Sequence, residues 1–222
     1  MPRLLDLFSG AGGAGMGYAR AGFDVTGVDI APQPRYPFEF HQADALEYLA
    51  AHGREYDVIH ASPPCQDHSS LAFATAAPKH GTAWLLEETI TRLTDLGAPF
   101  VVENVPGAKA HMPGAFTLCG RSFGIAQLRR HRLFLVNFPI LAPSCACDGT
   151  QVLGIYGDLS RNNRPVANSK DGYVRMRAGY ETARRLLDCP WMDARELSQA
   201  IPPAYTEFIG EQLLDHLKAG AA

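Results

Sequence analysis

The sequence lacks any apolar run near the ~20 residues that a bilayer-spanning helix needs, so a membrane-spanning helix is excluded and no membrane partner is expected. It has no internal repeat and no low-complexity tract, which excludes solenoid, collagen and long coiled-coil architectures. Cysteine is scarce and odd in number, at Cys65, Cys119, Cys145, Cys147 and Cys189. Together with an opening stretch, MPRLLDLFSGAGG, that has no signal-peptide layout, this favours reduced thiols and a cytoplasmic location over a disulfide framework. Tryptophan occurs only as Trp84 and Trp191, both read as packing residues, with the adenine pocket a second reading for Trp84. What the chain does have is 46% hydrophobic residues over 222 positions, enough to bury a core without staples.

The net charge of −3 conceals an asymmetry. Residues 1–120 hold 7 Lys/Arg against 13 Asp/Glu, residues 121–185 hold 11 against 4, and residues 186–222 hold 2 against 6. A basic middle between acidic flanks suits a surface that meets a polyanion, although a solvated face has the same composition.

Short apolar runs alternate with helical stretches. Strands are predicted at 4–8, 23–29, 38–42, 56–61, 99–104 and 133–138, and helices at 14–21, 45–51, 84–96, 183–187 and 204–217. This alternation implies an α/β fold with a parallel, doubly wound, Rossmann-like sheet. Residues 139–173 are rich in Pro, Gly, Asn, Ser and Arg without periodicity, and predict loops or a small irregular lobe.

The first strand runs into Ser9-Gly10-Ala11-Gly12-Gly13-Ala14-Gly15, and Asp29 closes the second strand. Gly10, Gly12 and Gly15 with a carboxylate nineteen residues on suit a nucleoside cofactor. The pattern does not choose between a nicotinamide dinucleotide and S-adenosylmethionine, and tight strand–helix packing would also use small residues. Asp44, beyond the third strand, is placed to meet an adenine amine. The fourth strand ends in Ser62-Pro63-Pro64-Cys65-Gln66, where two prolines fix the backbone before a candidate nucleophile. The fifth ends in Glu103-Asn104-Val105, and a carboxylate closing an apolar strand must be protonated or paired. Cys145-x-Cys147 offers half of a zinc site with Cys119 or Cys189. No second Cys/His pair has zinc-finger spacing, so no metal is expected.

These motifs resemble the DNA cytosine-5 methyltransferase family. DLFSGAGG at 6–13 is similar to its cofactor loop, VDI at 28–30 and QADAL at 42–46 to its next two cofactor motifs, and SPPCQ at 62–66 to its Pro-Cys motif. ENV at 103–105 resembles its Glu-Asn-Val motif, GIAQLRRHRLF at 124–134 its Gln-x-Arg-x-Arg block, and SQAIPPAYTEFIGEQL at 198–213 the motif that packs back on the cofactor loop. The matches fall in family order over residues 4–138 and 178–217.

The resemblance implies a catalytic domain from 1–138 and 178–222, with a reduced target-recognition lobe at 139–177. It implies S-adenosylmethionine as cofactor, S-adenosylhomocysteine as product and double-stranded DNA as partner, acted on by a monomer of a bacterial cell or its phage. Cofactor contacts are expected from Asp6, Leu7, Phe8, Ser9, Gly10, Gly12, Gly13, Asp29, Ile30, Asp44, Ala45, Pro64, Gln199, Ala200 and Ile201. Catalysis is expected from Cys65, Glu103, Arg130 and Arg132, with the two arginines also clamping phosphate. Nucleic-acid contacts are expected from Gln66, Ser69, Asn104, Gln127, Arg129, His131, Arg161 and Arg164. Residues 67–82 resemble the family's mobile loop over the flipped base. The chain departs from the pattern in its short lobe, in Ser198-Gln199 where the family usually has Gly-Asn, and in one extra residue of the Arg block. Either Arg129 or Arg130 then takes the first arginine position. RNA cytosine-5 methyltransferases use the same motifs, and a non-catalytic nucleic-acid-binding relative or a nicotinamide oxidoreductase are further readings. The first of these two is opposed by intact Cys65, Glu103 and Arg132, the second by the Pro-Cys and Glu-Asn-Val motifs.

Overall fold

The computed structural model describes residues 1–64, 83–150, 152–157, 159, 163–165 and 174–220. The main sheet holds β1 (Arg3–Leu7), β2 (Asp24–Asp29), β3 (Glu39–Gln42), β4 (Val58–Ala61), β5 (Phe100–Asn104), β6 (Phe116–Leu118) and β7 (Arg132–Val136). Around it lie α1 (Gly13–Ala21), α2 (Ala45–His52), α3 (Ala83–Leu96), α4 (Tyr180–Leu187), α5 (Ala194–Gln199) and α6 (Pro203–Gly220).

The strand order is β3-β2-β1-β4-β5-β7-β6. The first five strands run parallel, and β7 lies antiparallel to both β5 and β6. The two-residue period of a strand sends alternate side chains to opposite layers. Leu5, Leu7, Ile59 and Val102 pack with Leu46 and Leu49 of α2 and Leu86 and Leu93 of α3. Leu4, Val25, Val58 and Val101 pack with Tyr18 of α1 and Tyr205, Ile209 and Leu213 of α6. Both faces are covered, which is why these strands read as continuous apolar runs. Asp44 starts α2 by accepting from the backbone N–H groups of Leu46 and Glu47.

Three features depart from the sequence-based reading. β6 is a three-residue strand, too short to leave a periodic signal. Residues 139–173 are not wholly irregular: β8 (Val152–Gly154) and β9 (Arg164–Pro165) lie within them and join β10 (Val174–Arg177), just beyond, in a small sheet of order β8-β10-β9. Trp84 is 60% exposed and is not a packing residue. Trp191 does pack, and its indole N–H donates to the Ala11 carbonyl at 2.7 Å. A third apolar cluster, including Ala11, Leu128, Ile155, Ala183, Leu187, Cys189 and Leu197, joins the lobe and α4–α5 to the glycine loop. Among the described residues no helix is long and apolar enough to cross a membrane.

Helices α1 and α6 meet backbone to backbone. A Cβ at Gly17 would lie 2.1 Å from Thr206 Oγ1 and 2.2 Å from the Pro203 carbonyl oxygen. Gly17→Ala therefore gains up to ~1 kcal/mol of helix propensity but loses about 1–3 kcal/mol to overpacking. A lowered urea midpoint is expected, and an unchanged or raised midpoint would refute the backbone contact.

Candidate active site

The strand order reverses between β1 and β4, and open α/β sheets bind ligands at such a point, beyond the carboxyl ends of the strands. Two loops leave that edge side by side. After β1, Phe8, Gly10 and Gly12 adopt positive φ angles of 56°, 48° and 84°, which turn the chain sharply into α1. Asp29, at the end of β2, fastens the turn: Oδ2 accepts from the Gly10 N–H and Oδ1 from the Ala31 N–H, each at 2.9 Å. The Ser9 N–H donates to the Val28 carbonyl.

This edge suits a nucleoside. A Cβ at Gly10 would meet nothing within 4 Å, so its backbone faces open space. Ile30 is 72% exposed beside it and offers an apolar surface to a flat ring. The carboxylates of Asp29 and Asp44 keep unused lone pairs for hydroxyl or amine donors. Leu7 and Ala45 are buried beneath them and Ser9 nearly so. Ala200 and Ile201 back the loop from the other side; a Cβ at Gly13 would lie 2.5 Å from the Ile201 carbonyl oxygen. Gln199, at the end of α5, is exposed.

A row of buried polar groups runs across the same sheet face. Asp6 of β1 is in register with His60 of β4, and Glu103 follows two residues after the β5 partner of His60, Val101. Asp6 Oδ2 accepts from Tyr36 at 3.1 Å, while its Oδ1 has no hydrogen-bond partner among the described residues. Burial pushes the Asp6 carboxyl up to about 8 despite the Tyr36 hydrogen bond. Asp6 therefore lies inside the sheet as a neutral acid at neutral pH, not on the cofactor edge. His60 sits between Tyr18 Oη at 3.0 Å and Ser62 Oγ at 2.8 Å, and burial lowers it to about 3. Its neutral form contributes stability that is lost as pH falls from about 6.5 to about 3. Burial also raises Glu103, against the opposing charges of Arg132 and Arg130.

Arg132 Nε approaches Glu103 Oε1 at 3.0 Å. The contact is an ion pair without hydrogen-bond direction, and among the described residues this oxygen has no hydrogen-bond donor. Arg130 corrects the expectation of a phosphate clamp. Its guanidinium donates to the carbonyls of Ala200 at 2.8 Å, Ile155 at 2.9 Å and Ser198 at 2.9 Å. With φ at 22°, this residue ties the Arg block to α5 and the lobe, and burial brings its guanidinium down to about 9. Asn104 is likewise no nucleic-acid contact. It is buried, its amide N–H donates to the Pro63 carbonyl at 3.1 Å, and its Oδ1 accepts from the Val105 N–H. That bond fixes the Ser62-Pro63-Pro64 backbone against the end of β5.

Gln127 lines a cavity of about 640 Å³ with Arg20, Asp188 and Glu207, at the C-terminal end of α1 rather than at the carboxyl edge of the sheet. Arg129 lines a smaller cavity with Arg121, His131 and Cys147. His131 faces thiols instead of the cleft, its Nε2 lying 3.3 Å from Cys145 Sγ. Cys65, Gln66, Ser69, Arg161 and the 67–82 loop lie outside the described residues, as does the side chain of Arg164, whose backbone pairs with Arg177. The row Asp6–His60–Ser62 escaped the sequence reading because His60 sits within an apolar strand and carries no motif.

No family model matches the chain. It is 29% identical to the type II methyltransferase M.NlaX of Neisseria lactamica, over 62% of this chain and 52% of that protein. It is 30% identical to the type II methyltransferase M1.HphI of Haemophilus parahaemolyticus, over 59% of this chain and 44% of that protein. The chain thus spans about half the length of the curated relatives it matches. Among solved structures, S. pombe Dnmt2 methyltransferase aligns with a TM-score of 0.60 at 14% identity, over 97% of this chain and 99% of that one. A prophage-encoded E. coli protein assigned as a DNA modification methyltransferase aligns at 0.61 and 16%, over 98% and 100%. The fold is that of the Rossmann-like methyltransferases.

The raised Asp6 carboxyl has a measurable consequence. Below about pH 4 the acid is protonated whether folded or not; between about 4 and 8 only the unfolded chain ionises, so this contribution to stability falls as pH rises. Asp6→Asn should be progressively stabilising relative to wild type across that window, reaching several kcal/mol, in chemical denaturation run from pH 4 to 8. A difference that does not change with pH would show that Asp6 is ionised in the fold.

Proposed function

We infer that the chain is a DNA cytosine-5 methyltransferase that forms a covalent Cys65 adduct with its base. The observation that carries this is the pairing of two strand ends. Glu103, buried and shifted toward its protonated form, closes β5, and the neighbouring Asn104 grips the Pro63 carbonyl two residues before Cys65. Cys65, four residues beyond the end of β4 in sequence, and a carboxyl displaced toward its protonated form near the end of β5 suit the two sides of one pyrimidine ring. The order of the sequence motifs and the names of the relatives support the same reading.

S-adenosylmethionine, when bound, supplies an electrophilic methyl group. The backbone from Phe8 to Gly13 with Asp29, Ile30, Asp44 and Ala45 would hold it, backed by Ala200 and Ile201. Carbon 5 of cytosine is a weak nucleophile, and the Cys65 thiolate corrects this by bonding to carbon 6. The electron pair displaced from the C5–C6 bond is drawn toward N3, where Glu103 holds a proton. This role needs a carboxyl that stays protonated near neutral pH, as burial favours. Methyl transfer to carbon 5 would release S-adenosylhomocysteine; loss of the carbon 5 proton to solvent, return of the N3 proton to Glu103 and expulsion of the Cys65 thiolate would then restore the aromatic ring. Arg132 keeps the Glu103 carboxyl oriented. Asn104 is a positioning residue that acts through the Pro63 backbone. The base must leave the duplex stack to reach this edge, and the basic 121–185 segment would meet the phosphates around it.

The test uses labelled methyl transfer to DNA and, in parallel, to RNA. Wild type should methylate DNA cytosine at carbon 5, and DNA carrying 5-fluorocytosine should leave a cofactor-dependent covalent adduct mapped to Cys65. Cys65→Ala should abolish both while retaining cofactor affinity. Glu103→Gln should lower kcat by about 10²–10⁴-fold. Turnover retained in Cys65→Ala, or an adduct mapped to another residue, would overturn the mechanism. Methylation of RNA alone would reassign the substrate.

A further inference from the structure

We propose that Cys119, His131, Cys145 and Cys147 form a structural zinc site that fastens the start of the 139–177 lobe to the β6–β7 hairpin. The four side chains come from three separate pieces of chain. Cys119 follows β6, His131 precedes β7, and Cys145 and Cys147 lie in the irregular segment beyond β7. Their ligating atoms all lie within 4.8 Å of one another. Cys119 Sγ is 3.5 Å from Cys147 Sγ, and His131 Nε2 is 3.3 Å from Cys145 Sγ and 3.6 Å from Cys147 Sγ. Zinc bonds of ~2.3 Å to sulfur and ~2.0 Å to nitrogen give tetrahedral edges of about 3.5–3.8 Å. The contacts resolved here are therefore close to the edges of one tetrahedron. They are far longer than the ~2.05 Å of a disulfide, and all three cysteines are free.

The surroundings argue that something must hold this segment. Leu141 is 86% exposed, and residues 145–150 are exposed throughout, so the segment has no apolar core of its own. What shapes it is polar. Arg121 donates to the Ala146 carbonyl at 3.2 Å, to Thr150 Oγ1 at 2.6 Å and to Asp148 at 2.6 Å, and Ser122 donates to the Ser144 carbonyl at 2.7 Å. This lattice wraps the two exposed thiols around the buried Cys119 and aims them at the imidazole. Three thiolates and one neutral imidazole on a divalent ion carry a net charge of −1. Arg121 and Arg129, lining the same small cavity as His131 and Cys147, provide positive charge beside it. Four protein ligands leave no open position, so the ion is structural rather than catalytic. His131 is followed directly by Arg132, so a fixed imidazole also sets where β7 begins and how Arg132 approaches Glu103.

The test is metal content of the full chain, expressed with added zinc and purified under reducing conditions. Elemental analysis should find one zinc per chain in wild type and in Cys189→Ser, whose thiol lies outside the cluster. Cys147→Ser and His131→Ala should each bind zinc at least tenfold more weakly, and His131→Cys should keep it. Cobalt reconstitution of wild type should give the charge-transfer absorption of thiolate-bound tetrahedral Co(II), and a chelator should lower its Tm, so the site stays testable if a variant fails to fold. Wild type without zinc after reconstitution, unchanged zinc in Cys147→Ser, a chelator-insensitive Tm, or a Cys119–Cys147 disulfide mapped under these conditions would overturn the proposal.

Discussion

The contact between the backbones of α1 and α6 is the constraint on which the site depends. At Gly13 and Gly17 no Cβ fits, because the carbonyls of Ile201 and Pro203 and the hydroxyl of Thr206 already occupy the space. Thr206 also donates to the Ala14 carbonyl across this seam. The last stretch of chain is thereby held against the first turn of the first helix. The carbonyls of Leu197, Ser198 and Ala200 then converge on one guanidinium, that of Arg130. Through it the Arg block is placed, and from the Arg block β7 starts with Arg132 beside Glu103. A packing requirement among small residues is thus converted into the position of Arg132 beside Glu103.

The same sheet face sets protonation states. A dry interior penalises charge, and the face shared by β1, β4 and β5 carries a carboxyl, an imidazole and another carboxyl. Two of these groups have no ionised neighbour strong enough to keep them charged: Asp6 rises and His60 falls, both toward neutrality. Glu103 differs because Arg132 adjoins it, so burial and opposite charge pull its equilibrium in opposite directions, with burial the larger. The result is a carboxyl displaced toward its protonated form by burial even with Arg132 beside it. Asp29 lies outside this row, at the sheet edge, where its two oxygens accept from the Gly10 and Ala31 N–H groups.

Much of this was legible in the sequence because the parallel core is buried on both faces. The runs at 4–8, 23–29, 56–61 and 99–104 could be read as strands from apolar content alone, and the glycine turn and the end of β2 followed from residue type. The sequence cannot show which polar residue spends its hydrogen bonds internally. Asn104 and Arg130 sit in motifs that suggest contact with nucleic acid, yet their donors go to Pro63 and to a ring of carbonyls. Similarly, Cys145-x-Cys147 was visible as half a metal site, but the other half comes from Cys119 and His131, which only the β6–β7 hairpin brings together. β6, at three residues, left no pattern from which that hairpin could be inferred.

The basic surplus of 121–185 must be read in this light. Several of its arginines are engaged inside the protein: Arg121 with Asp148 and its neighbours, Arg130 with carbonyls, Arg177 over the Tyr156 ring, and Arg184 with the Pro190 carbonyl. Arg132 faces Glu103. A formal excess of positive charge therefore overstates the number of phosphates this surface could neutralise, and counterion release scales with phosphates met rather than with arginines present. Arg121, Arg130 and Arg184 are better understood as structural ties around the lobe. They satisfy main-chain carbonyls that loops would otherwise leave unpaired, and fewer cations are left to meet a polyanion once that structural demand is met.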